Sequence, residues 1–168
     1  MAKFSMQRDP RVYAKGIAIK PPDTKRALGI DLGTNCGIAF CDFVPGKPLE
    51  DVMIYLDQWD LSIGTYDSTA LRHIRFRQFL QVLQPDLIGF EDVKVDVPLD
   101  QFKGKLGALV ARVVPTAEFL GTLKITLATW AEVHQVPLEG RAITQIKKFA
   151  TGKGNAGKYK AIFEANKP

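Results

Sequence analysis

The sequence predicts an α/β fold: a mixed β-sheet, three antiparallel strands followed by parallel ones, flanked by helices. Three observations predict it. Short apolar runs of strand length follow one another in the first third of the chain, with no connection long enough for a crossover. The apolar period then switches to a helical one near Ser68. A nearly all-apolar run, Leu87-Ile88-Gly89-Phe90, sits between two helical stretches, the pattern of a central strand buried on both faces.

Residues 1–25 lack clean periodicity and end in Pro21-Pro22-Asp23, which predicts a loosely attached basic arm, with ordered structure beginning near Arg26. Ala27-Leu28-Gly29-Ile30 reads as a strand stopped by Asp31-Leu32-Gly33-Thr34-Asn35, and Gly37-Ile38-Ala39-Phe40 resumes as its hairpin partner. Val52 to Tyr55 supplies a third strand. From Ser68, a candidate N-cap, Leu71, Ile74, Phe79, Leu80 and Leu83 recur at helical spacing, and Pro85 lies just past the end. Arg72, Arg75 and Arg77 fall largely off that face.

After the strand ending at Glu91-Asp92, residues 93–114 read as a loop with a short apolar segment around Leu106 to Val114. Pro115 to His134 reads as a long helix with Phe119, Leu120, Leu123, Leu127 and Trp130 inward. Val136-Pro137-Leu138 begins a fifth strand. Thr144 caps a short helix through Ala150, which Gly152, Gly154 and Gly157 break, and Tyr159 to Asn166 begins a last helix. This order of elements is the ribonuclease-H-like one, among several that periodicity alone allows.

The chain of 168 residues is long enough for one domain with a substantial core and too short for two ordinary ones. At 46% hydrophobic and 24% charged it has the balance of a soluble globular protein. No apolar run is long enough to span a membrane, and the N-terminus does not read as a secretory signal. Cys36 and Cys41 fit neither a disulfide framework nor a zinc site, so two free buried thiols in a reducing cytoplasm are expected.

The net charge of +5 is unevenly divided. Residues 1–27 carry seven Lys or Arg against two acids, and residues 141–168 seven against one. The centre, 28–140, holds nine basic residues against fifteen acidic ones. Basic ends around an acidic centre suit a nuclease, with cations for phosphates and carboxylates for metal, although terminal cations also simply solubilise.

Asp31 and Glu91 each end a short apolar strand. If those strands are parallel neighbours, both carboxylates leave the sheet at one edge, where mutual repulsion is relieved by a divalent cation. The same positions also suit a turn-capping Asp and a solvated Glu.

The wording around these acids narrows the choice. GIDLGTNCGIAF and LQPDLIGFEDV resemble the first two motifs of the RuvC family of Holliday-junction resolvases, and ITQIKKFATGKGNAGK resembles the basic, glycine-bearing segment that follows. The resemblance covers roughly 26–168, with little support between 93 and 114. It implies a Mg2+-dependent crossover-junction endodeoxyribonuclease of DNA recombination and repair, with Mn2+ as an alternative metal. It further implies a cytoplasmic homodimer on four-way-junction DNA, with Asp31 and Glu91 as catalytic metal ligands and the glycine after the first acid permitting the hairpin. Lys147, Lys148, Lys153 and Lys158 are the implied phosphate contacts.

The family closes with an acidic helix bearing two further ligands, and the sequence ends where that helix is expected. A C-terminally incomplete nuclease domain over 26–168, impaired in cleavage, is therefore expected. Two other readings stay open: a non-catalytic branched-DNA-binding protein on the same scaffold, and an actin-like nucleotide-binding hairpin at Asp31-Leu32-Gly33-Thr34.

Overall fold

The computed structural model describes residues 3–7, 19–50, 52–93, 106–155 and 157. In chain order the described elements are β1 (Lys3–Gln7), β2 (Lys25–Asp31), β3 (Asn35–Phe43), β4 (Ile54–Asp60), α1 (Ala70–Leu83), β5 (Leu87–Glu91), α2 (Leu106–Val133), β6 (Leu138–Arg141) and α3 (Ile143–Thr151). The strands form one sheet in the order β1-β4-β3-β2-β5-β6. β2, β3 and β4 make an antiparallel meander, and β5 and β6 add in parallel beside β2. The expected mixed α/β sheet is the observed one.

Alternation along the strands sends one set of side chains to a single core. Leu28 and Ile30 of β2, Ile38 and Phe40 of β3, Trp59 of β4 and Ile88 of β5 are buried against Phe76, Phe79, Leu80 and Leu83 of α1 and Leu123, Leu127 and Trp130 of α2. Trp59 anchors this layer, stacked on Phe79 at 4.7 Å and meeting Phe76 edge-on at 5.9 Å. Arg26 lies on the same buried face. Its guanidinium makes two 2.7 Å bonds to the Asp42 carboxylate, donates to the Leu83 carbonyl at 2.9 Å and sits 5.0 Å from the centre of the Phe40 ring. This charge, counted above with the basic arm, is sequestered in the core.

Several expectations are corrected. Lys3–Gln7, read as part of a loose arm, pairs in parallel with β4. The third strand runs over Ile54–Asp60 instead of Val52 to Tyr55, because Asp57 and Gln58 disguise a strand whose inward residue is Trp59. In α1 the inward residues include Phe76, while Ile74 is half exposed. Ser68 is not the cap of α1: Thr69 is, without a side-chain cap bond, although Ser68 Oγ accepts the Ala70 N–H at 3.2 Å.

The loop, short segment and long helix expected across 93–134 merge from Leu106 onward into one helix that runs through Pro115. Proline there forfeits a single intrahelical hydrogen bond, which a 28-residue helix packed on the core tolerates. β5, flanked by β2 and β6, is buried on one face only. Ile88 is fully covered, whereas Leu87 is 42% exposed. α3 begins after Ala142, whose N–H donates to Gln145 Oε1 at 3.3 Å, so Thr144 is not its cap. The helix expected at Tyr159 to Asn166 lies outside the described residues. No helix among the described residues is long and apolar enough to cross a membrane.

Candidate active site

The second face of the sheet is built from small residues. Gly29 of β2 faces Ala39 of β3 on one side and Gly89 of β5 on the other, and Gly37 faces Asp31. With so little side chain standing up, the sheet floors a cleft of about 610 Å³, and Asp31 and Glu91 lie along its lining with Arg141 and Ile146.

Strand pairing dictates this convergence. β2 and β5 are parallel neighbours with Ile30 opposite Phe90, so the next residues, Asp31 and Glu91, leave the sheet at the same edge. Glu91 is in turn opposite Arg141 of β6. A Cβ built on Gly37 would stand in ordinary contact with the Asp31 side chain, 3.5 Å from its Cβ. Asp92 goes the other way: its Oδ1 accepts from Lys124 Nζ of α2 at 2.5 Å, on the helix-covered side.

Glu91 senses Asp31. Burial and then the Asp31 charge hold the Glu91 carboxyl above the usual carboxylate range, while the Lys147 ammonium draws it back down. Lys147 is half buried on α3, close enough to act on Glu91. Lys148 and Lys153 are exposed on α3 and the turn after it. That turn is tight: Gly152 is left-handed at φ 73°, and a Cβ on Gly154 would meet the Thr144 carbonyl at 3.0 Å. Lys158 lies outside the described residues.

The implied role of Gly33 in permitting the hairpin has no backbone basis. The described glycines with positive φ are Gly46 and Gly152. Cys36 and Cys41 are free; Cys36 is buried, its thiol pushed up to about 12 by burial, while Cys41 is only half buried on the other face. His73 bonds Thr126 across the two long helices and His134 stacks on Trp130, so neither lines the cleft. Sequence reading missed Arg141 and Ile146. Their only signal was position, at a strand end and on the first turns of the helix beyond it.

No family model matches the sequence, and no curated protein does. Solved structures do match. The Thermus thermophilus RuvC structure in complex with Holliday junction substrate superposes with a TM-score of 0.58 at 17% identity, covering 83% of this chain and 76% of that one. A Thermus thermophilus RuvC structure without that description gives a TM-score of 0.53 at the same identity and coverage. The fold is ribonuclease-H-like. At such identity the likeness establishes the fold, and the chemistry must be argued from the cleft.

Two carboxylates on adjacent strand ends, with waters completing the sphere, are a donor set that fits one hard divalent cation. Among the described residues no group of three or more His, Cys, Asp or Glu side chains gathers to hold a metal.

Proposed function

We propose that this chain binds branched DNA of the four-way-junction type and that the Asp31–Glu91 cleft serves phosphodiester hydrolysis there. The observation that carries the proposal is the delivery of both acids to one open cleft by parallel neighbouring strands, with Lys147 beside them. Asp31 and Glu91 would hold Mg2+, or Mn2+ in its place. When bound, such an ion supplies Lewis-acid stabilisation of phosphoryl oxygens and a more acidic water. Lys147, Lys148, Lys153 and Lys158 neutralise phosphates and hold the backbone over the cleft. A homodimer would present two such clefts to a two-fold junction.

The test is a labelled four-way junction offered beside a duplex of matching sequence, with Mg2+ or Mn2+. Preferential junction binding and slow, metal-dependent nicking that Asp31→Asn abolishes are expected. Nicking that survives Asp31→Asn, or equal affinity for junction and duplex, overturns the proposal.

A second reading, junction binding without cleavage, is favoured by one observation: Asp57 also lines the cleft, yet among the described residues no three acids gather closely enough to hold a metal. Two-ion hydrolysis ordinarily draws on at least that many, and losing one positioned group commonly costs about a hundred- to a thousandfold in rate. Junction-selective binding with no nick in either metal would establish that reading.

A further inference from the structure

Strand register lays one transverse row of residues across five strands. Gln58 of β4 is opposite Gly37 of β3, Gly37 is opposite Asp31 of β2, and Glu91 of β5 is opposite Arg141 of β6. Asp31 and Glu91 stand level, one step beyond the Ile30–Phe90 pair. Because Trp59 turns into the core, its neighbour Gln58 turns to the open face, where it lines the cleft with both acids. Donors therefore stand at the two ends of the row, with the acids between them. Arg141 pairs with Glu139 at 2.5 Å. The partly buried side-chain amide of Gln58 has no hydrogen-bond partner among the described residues; only its backbone N–H is engaged, donating to Asp57 Oδ1 at 2.7 Å.

Two strand spacings, roughly 10 Å, separate the Gln58 and Asp31 backbones, and the residue between them is a glycine. Asp31 Oδ2 comes within 4.0 Å of the point where a Gly37 Cβ would stand, whereas no atom of Gln58 lies within 4 Å of it. An open slot thus lies over Gly37, between a carboxylate and an unengaged amide. We infer that Gln58 contacts the substrate: its amide donates across this slot to a non-bridging oxygen of the phosphate that the Asp31–Glu91 cleft serves. The inference rests on the phosphodiester reading above and adds a specific residue to it.

The chemistry of the row favours this occupant. Two ionised carboxylates only accept hydrogen bonds, so they can hold a cation, and a phosphate needs donors from beside them. A Lys or Arg over Gly37 would pair with Asp31 and compete with any cation there. An amide carries no charge, so it can donate to phosphate without neutralising the acids. The neighbouring row of Leu56, Ala39, Gly29 and Gly89 is apolar or bare and offers no side-chain donor.

The experiment measures the affinity of the full chain, with Ca2+ as the divalent ion, for a four-way junction and for a duplex of matching sequence. A set of junctions, each carrying one neutral methylphosphonate linkage near the branch, locates the phosphate. Gln58→Leu, which keeps the volume without the amide, should bind the junction about tenfold more weakly, the effect of losing a hydrogen bond to a charged group. Its log–log salt slope should equal that of wild type, because an uncharged side chain releases no counterion. On one methylphosphonate junction the difference between the two proteins should vanish, since that linkage has lost its charge and one of its oxygens. Affinity for duplex should not change.

Gln58→Leu binding the junction as wild type does, or losing as much on duplex or on every methylphosphonate junction, overturns the inference while leaving the proposed function standing. A thermal midpoint lowered by several degrees in Gln58→Leu would make the loss structural and overturn it too. Weaker Mn2+ binding by Gln58→Leu in the absence of DNA would make the amide a metal ligand, with the same result. A wild type that does not distinguish junction from duplex overturns the proposed function itself, and the inference with it.

Discussion

Replacing Asp42 by Ala should destabilise the fold severely, because it strands a charge in the core. Arg26 has no exposed surface, and its two 2.7 Å bonds to Asp42 are its charge partner. Removing one member of a buried pair costs about 3–5 kcal/mol, chiefly through the uncompensated charge left behind. Asp42 keeps 14% of its side chain exposed, so water can enter and the lower end, about 3 kcal/mol, is expected. With a urea dependence of about 2 kcal/mol per molar, the unfolding midpoint should fall by about 1.5 M.

The double variant Arg26→Met/Asp42→Leu separates charge from packing. Apolar replacement of both partners is often neutral or stabilising, and the remaining loss should be about 1 kcal/mol from the Leu83 carbonyl that Arg26 no longer satisfies. Urea unfolding followed by Trp fluorescence and circular dichroism provides the assay. A single-variant cost below about 1 kcal/mol, the value of an exposed pair, would refute the argument. So would a double variant as unstable as Asp42→Ala.

Other consequences are equally direct. Changing Lys147, Lys148, Lys153 and Lys158 to Ala should flatten the log–log salt dependence of junction binding by about 3.6, given about 0.9 per phosphate contact on duplex DNA. An unchanged slope would assign those lysines to solubility. Glu91→Gln should raise the thermal midpoint at pH 7. Its folded carboxyl is held above the ordinary value by burial and Asp31, so the charged form is penalised above that raised value and the penalty vanishes below the ordinary carboxylate pKa. The stabilisation should therefore disappear in acid; a variant less stable at pH 7 would contradict this. Gly140→Ala should cost about 1–3 kcal/mol in a chemical-denaturation titration, because its Cβ would lie 2.8 Å from the Phe90 ring. A neutral result would mean that the ring moves freely.

Much of the sheet was legible because apolar strands stopped by an acid carry two signals at once. Ile30-Asp31 and Phe90-Glu91 announced both strand and edge, and parallel pairing then fixed which edge they shared. The central acids could be singled out for the same reason, being conspicuous at strand ends, whereas Lys147 came only with the resemblance of its segment. What stayed hidden depends on tertiary partners. Arg26 was counted with the basic N-terminal residues, and only its register across β2 and β3, opposite Asp42, makes the two a buried pair.

Asp57 and Gln58 concealed a strand whose anchor is a single inward Trp59, since a half-buried strand shows its polar side to a reader of pattern. Pro115 argued for a helix start, yet packing of Leu123, Leu127 and Trp130 outweighs one lost hydrogen bond. The open floor of the cleft left no apolar signal at all. Gly29, Gly37, Ala39 and Gly89 read only as small members of their strands until three strands are laid side by side.

The central claim is that Asp31 and Glu91 hold a divalent cation between them. Binding of Mn2+ to the full chain, followed by electron paramagnetic resonance, tests it most directly. Wild type should take up about one weakly held ion per chain, as two carboxylates and waters allow, and both Asp31→Asn and Glu91→Gln should abolish that binding while the fold persists. Mn2+ bound equally well by wild type and both variants, or not bound by wild type at millimolar metal, would contradict the account.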